Sequence, residues 1–203
     1  MNSEEIKRQA RAVIAREAAA IAALADQIDD TFVRATELLL NCPGHVIVAG
    51  SGTSHTIAAR MAHLLSCSGV PALFLHPGDT QHGSAGALKA GDVLIAISRG
   101  GETNEVNHLA GIARKRGATV IGLTARPDSS MARLSDLVLV VTVPEDVDPY
   151  GMISTGSSLG NAAYGDALAT VLLHLTGYSR EAFGETHPGG IVGKMLAEEE
   201  EGQ

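Results

Sequence analysis

From residue 44 onward, short unbroken apolar runs alternate with stretches in which apolar residues recur every three or four positions. The runs are His45–Ala49, Ala72–Leu75, Val93–Ile97, Thr119–Leu123 and Leu137–Val141. Each has the length of a strand, and none alternates apolar with polar residues, so both faces of each are expected to be covered. Helical spacing fills residues 56–68, 103–116 and 159–175, and a last helix starts near Gly189. Strands separated by helices predict an α/β domain, a parallel sheet between two helical layers, over residues 42–203.

The first 41 residues carry no such alternation. Ile6, Ala10, Val13, Ile21, Leu24, Ile28, Phe32 and Leu39 follow helical spacing. Ser3, followed by Glu4 and Glu5, reads as a cap with acids in the first turn, and Asp29-Asp30-Thr31 as a second cap or a bend. The expectation is a helical arm that packs on the domain or on an oligomer interface.

Hydrophobic residues make up 45% of the chain and aromatics 3%, so Ala, Val, Ile and Leu must build the core. A formal net charge of −8 argues against a nucleic-acid surface, which needs clustered Lys and Arg. It does not exclude an anionic ligand held by N–H dipoles and hydroxyls. Cys42 and Cys67 match no disulfide or zinc spacing and read as small buried hydrophobes. The apolar run Ala18–Ala25 falls far short of the ~20 residues that cross a bilayer. The start Met1-Asn2-Ser3-Glu4-Glu5 is unlike a secretion signal. A cytoplasmic protein without membrane partners is expected.

Chemistry concentrates where strands end. Ser98-Arg99-Gly100-Gly101-Glu102-Thr103 joins the third strand to a helix. Its small residues let backbone N–H groups approach an anion, the hydroxyls of Ser98 and Thr103 can donate to it, and the Arg99 guanidinium can pair with phosphate. Glu102 places a base in the same turn. Gly50-Ser51-Gly52-Thr53-Ser54-His55 follows the first strand. It completes neither a dinucleotide fingerprint nor a P-loop, and alone reads as a Gly/Ser turn. The polar loop from His76 to Gly83 offers His82 to a ligand but lacks the spacing of a helix-face metal pair. Three acids lie in Pro144–Pro149, and His187 precedes the last helix, where it can titrate near neutral pH.

Taken in order, these segments resemble the sugar isomerase (SIS) domain family, and within it the arabinose 5-phosphate isomerases. The matching marks are Gly50–Ser54, His76-Pro77 with His82-Gly83, Gly101-Glu102-Thr103, Pro127-Asp128-Ser129, Gly165-Asp166-Ala167-Leu168, and His187-Pro188-Gly189-Gly190 with Gly193-Lys194. The resemblance implies a three-layer α/β/α sandwich with a flavodoxin-like five-stranded parallel sheet. It also implies a homo-oligomer, often a tetramer, whose active sites are shared between subunits, and a phosphorylated sugar as substrate; the expected chemistry requires neither a metal nor a redox cofactor. By position, Ser54, Ser98 and Thr103 fall on the family's phosphate-holding hydroxyls, with Ser51, Gly52, Arg99 and Gly100 beside them. Glu102 and His187 fall on catalytic residues. Asp146 falls where the isomerases usually have a second catalytic glutamate.

Three positions depart from the pattern. Thr53 stands in place of a lysine important in arabinose 5-phosphate isomerases, Gly100 in place of a second serine, and Asp146 in place of the longer glutamate. Relatives with this activity often carry nucleotide-sensing CBS domains, and none falls within these 203 residues. The expected reaction is aldose–ketose interconversion through an enediol. Glu102, its pKa raised by partial burial, would move the carbon proton. His187 would open the ring or shuttle oxygen protons, and Asp146 would assist. A 6-phospho-3-hexuloisomerase, a phosphosugar-sensing regulatory module, and an etherase or lyase of amino-sugar phosphates remain as alternatives.

Overall fold

The computed structural model describes residues 2–201, with side chains through residue 196. Helix α1 spans Ser3–Ala22 and α2 spans Asp30–Leu40. The sheet and its crossovers follow as β1 (Val46–Gly50), α3 (Thr53–Cys67), β2 (Ala72–Phe74), a short α4 (Pro77–Thr80), β3 (Val93–Ile97), α5 (Asn104–Lys115), β4 (Thr119–Thr124), α6 (Ser130–Leu134) and β5 (Leu137–Val140). The chain closes with α7 (Gly156–Thr176), α8 (Arg180–Thr186) and α9 (Gly190–Glu201).

All five strands are parallel, in the order β2-β1-β3-β4-β5. The central strands β1 and β3 are buried along their whole length, whereas the edge strands β2 and β5 are partly exposed. Side chains alternate across the pleat. Val46, Val48, Val93, Ile95 and Ile97 enter the core shared with α2, α3 and α7. Ile47, Ala49, Leu94 and Ala96 enter the core under α5 and α6. Crossovers are right-handed, so reversing the direction of winding between β1 and β3 puts α3 and α5 on opposite faces. A crevice therefore opens beyond the carboxyl ends of β1 and β3, where ligands of such sheets bind.

The five strand expectations hold within a residue or so. Asn2, rather than Ser3, caps α1, its side chain accepting the Glu5 N–H at 2.9 Å. Asp29 caps α2, and the Phe32 and Tyr164 rings meet edge-to-face at 5.4 Å, which ties α2 into the main core. Burial, helped by the charge of Asp29, pushes the Tyr164 phenol up to about 12. Most of α1, by contrast, is exposed, with only Ala20 buried. Among the described residues no helix is long and apolar enough to cross a membrane.

Candidate active site

Two helices point their N-termini into the crevice. At five other helix starts a side chain satisfies the first N–H groups: Asn2, Asp29, His76, Ser129 and Ser179. The starts of α3 and α5, at Gly52 and Thr103, have no side-chain cap. In α3 the His55 N–H donates to the Gly52 carbonyl at 3.0 Å, and in α5 the Glu105 N–H faces its own carboxylate; the other first-turn N–H groups are left to a ligand, with the positive ends of both helix dipoles behind them. Local sequence explains this. Gly52 adopts φ 59 and has no side chain to cap with. Thr103 turns its hydroxyl to Ser98 instead, Oγ to Oγ1 at 2.9 Å.

The Ser98–Thr103 turn is built tightly. Ser98 is buried and its Oγ accepts the Gly101 N–H at 3.1 Å, so this hydroxyl shapes the turn from within. Gly101 has φ +68, and a Cβ there would collide with Ser129 Oγ. Gly100 is exposed, and a Cβ on it would meet nothing within 4 Å. Facing the turn, Ser51 Oγ is buried without a hydrogen-bond partner. Glu105, in the first turn of α5, is held below the usual carboxylate range mainly by its own backbone N–H, and Ser51, outside hydrogen-bond geometry, lowers it further. Thr53 is exposed and Ser54 half-buried at the start of α3.

Glu102 differs from expectation. It is exposed, and its Oε1 accepts the Ser130 N–H at 2.8 Å at the start of α6. That backbone bond, then the Ser130 side chain, lower its pKa; a small opposing effect of desolvation and a weaker pull from the charge of Arg133 do not change the direction. The expected upward shift is therefore corrected to a downward one.

Arg99 also has a partner. Its Nη1 lies 2.9 Å from Asp148 Oδ2, and the other Asp148 oxygen accepts the Ser157 N–H at 2.9 Å. The contact with Arg99 is an ion pair lacking hydrogen-bond alignment. Beside it lies a cleft of about 640 Å³, bordered by Arg99, Gly100, Arg126, Glu145, Ser157 and Asn161 among others. Among the acids after β5, Glu145 borders this cleft and Asp148 lies behind it. Asp146 is exposed, in the 3-10 turn Glu145–Val147. His82 is exposed on the turn after α4.

His187 lies elsewhere. Its ring stacks on Phe183 at 3.8 Å, and its Nε2 is 3.3 Å from Cys67 Sγ. Burial pushes the Cys67 thiol up. Cys67 ends α3, while the crevice lies at that helix's start; a 15-residue helix is about 22 Å long. Within one chain, His187 and Glu102 are not brought together. Among the described residues, no group of three or more His, Cys, Asp and Glu is placed to hold a metal ion.

Asp148, Glu145, Glu105, Arg126 and Ser157 were not singled out from the sequence. The three acids after β5 were visible as a group, but their residue types do not reveal which one turns inward.

A doubly wound sheet with a hydroxyl-rich crevice at its switch point, where two helices start without side-chain caps, defines an α/β protein of the kind that binds ligands beyond its strand ends. The SIS domain model matches residues 39–171, and the chain belongs to that family. It is 37% identical to arabinose 5-phosphate isomerase KdsD of Escherichia coli K12 over 192 residues, covering 95% of this chain. It spans 58% of the length of that relative. Among solved structures it resembles Escherichia coli CFT073 c3406 in complex with arabinose 5-phosphate, with a TM-score of 0.88 and 30% identity, covering 93% of this chain and 100% of that one. It also resembles Vibrio vulnificus NanR complexed with ManNAc-6P, with a TM-score of 0.76 and 26% identity, covering 87% of this chain and 66% of that one.

Proposed function

We propose that this protein is a phosphosugar aldose–ketose isomerase that interconverts D-arabinose 5-phosphate and D-ribulose 5-phosphate, or a closely related pair, through an enediol. The observation that carries this reading is the Ser98–Thr103 turn, where a phosphate cradle and the carboxylate of Glu102 occupy consecutive residues. The similarity to KdsD and to a structure holding arabinose 5-phosphate supports it.

The phosphate is a remote handle. The uncapped N–H groups of α3 and α5, with Ser54 and Thr103, hold it, and its binding energy orients the reacting carbons. Glu102 removes the proton α to the carbonyl and returns it to the neighbouring carbon. His187 moves protons at the sugar oxygens and in ring opening, and Asp146 assists from the loop after β5.

His187 reaches that crevice only from another subunit, because its own chain holds it at the far end of α3. The site is thus shared, and the protein is a homo-oligomer. Glu102→Gln should lower turnover by at least about a hundredfold while keeping sugar-phosphate binding. His187→Ala should also be nearly inactive. Mixing the two inactive variants and letting subunits exchange should restore part of the activity, since some mixed sites carry both wild-type groups. A mixture as inactive as its components would contradict a shared site.

The likeness to NanR favours a second reading, a sensing module that binds a phosphosugar without converting it. Binding with wild-type turnover at background would select it.

A further inference from the structure

The Arg99 side chain has two faces. Nη1 meets Asp148 Oδ2 at 2.9 Å, and the side chain also borders the 640 Å³ cleft beside the phosphate turn. Asp148 is 1% exposed, and its second oxygen accepts the Ser157 N–H at 2.9 Å. One carboxylate thereby joins the turn after β3, the loop after β5 and the first turn of α7. A charge so far out of water needs its partner in place. Arg99 is accordingly held beside Asp148 by charge, and its other guanidinium N–H groups remain available to a ligand in the cleft.

Other donors around the cleft are unspent. Ser157 is 5% exposed and its Oγ has no hydrogen-bond partner. The Arg126 guanidinium has no hydrogen bond or ion pair among the described residues. Glu145 is the carboxylate on the rim, so donors outnumber acceptors, and the fitting occupant is rich in acceptor oxygens. Gly100 also borders the cleft, and a Cβ there would meet nothing within 4 Å, so the way from the phosphate turn into the cleft is open.

We propose that Asp148 is a positioning residue that holds Arg99 as the recognition group of this cleft. Arg99 then selects phosphosugars whose oxygen-rich end passes Gly100 while the phosphate stays in the turn. This rests on the phosphosugar reading above and deepens it: the hydroxyls and helix N-termini bind phosphate, and Arg99 discriminates at the other end of the ligand.

A double-mutant cycle tests it. Wild type, Arg99→Met, Asp148→Asn and the double variant are compared for thermal midpoint and for kcat/KM across pentose, hexose and tetrose phosphates. Arg99→Met should lower the midpoint, because it strands the Asp148 charge. The double variant should regain stability, with no buried charge left. Its kcat/KM for the preferred sugar should nonetheless stay about tenfold or more below wild type, mostly through KM, with preference across the panel flattened. A stable double variant with wild-type KM and preference would make the pair merely structural and overturn the proposal. Failure of the isomerase reading is a separate result, in which wild type converts no sugar of the panel. The cycle is then read by the midpoint rise each sugar phosphate produces, and equal selectivity in wild type and double variant overturns the positioning role.

Discussion

Glu102, the proposed base, sits in a different setting from the one its turn suggested. A carboxylate in a half-buried loop would hold its proton up to near neutral pH, but Glu102 faces water and accepts the Ser130 N–H. Its folded pKa is lowered, so the bond to Ser130 adds stability above the ordinary carboxylate range and loses it as pH falls through the folded value. If it is the base, as proposed, the downward shift keeps it ionised at neutral pH. The acid limb of kcat/KM should therefore lie below the ordinary carboxylate range, as far as this group decides. Ser130 occupies the first position of α6 after its Ser129 cap, and Ser129 has an extended backbone, φ −70 and ψ 167. Proline is accommodated at such a position and removes the N–H. Ser130→Pro should move the acid limb upward. A limb near neutral pH in wild type, or no movement in Ser130→Pro, would assign the base to another group.

At the scale of elements, the helices set the distances that matter. α3 carries Ser54, a proposed phosphate contact, at its start and contacts His187 through Cys67 at its end, so one helix holds the two proposed functional regions of a single chain apart. α2 belongs to the core through Phe32, Ala35 and Leu39. Phe32→Ala should remove about 3–4 kcal/mol of stability, read by urea unfolding. A loss under about 1 kcal/mol would mean that α2 does not pack as described. The strands were legible because a run such as Val93–Ile97, buried on both faces, has no other reading beside a helical stretch. α4, α6 and α8, at four, five and seven residues, are too short for periodicity to reveal. The Ser98–Thr103 turn was legible from Gly, Ser and Thr at a strand end. Asp148 was not, because its burial follows from a tertiary contact: Val147 packs on Gly156, where a Cβ would collide with the valine Cγ2, and this turns the neighbouring aspartate inward. Nor does position 102 reveal that its acceptor role is taken up by an N–H 28 residues away.

For the whole molecule, the apolar surface and the separation of Glu102 from His187 point the same way. Tyr150, Met152 and Ile153 are exposed on the loop after β5, Ile6 and Ile14 on α1, and Ile191, Val192 and Met195 on α9. Burial of such faces against copies of the chain would bring a partner's last helices to the crevice and shield Glu102 from water. Light scattering should find more than one chain per particle, and a monomer that isomerises its substrate would contradict the shared site. Catalysis itself is decided by incubating the wild-type protein with arabinose 5-phosphate in deuterated water and following the sugar by NMR. The expected result is ketose formation with carbon-bound deuterium at C1 or C2, abolished in Glu102→Gln. Stabilisation of the protein by the sugar with no deuterium entering carbon would contradict enediol chemistry.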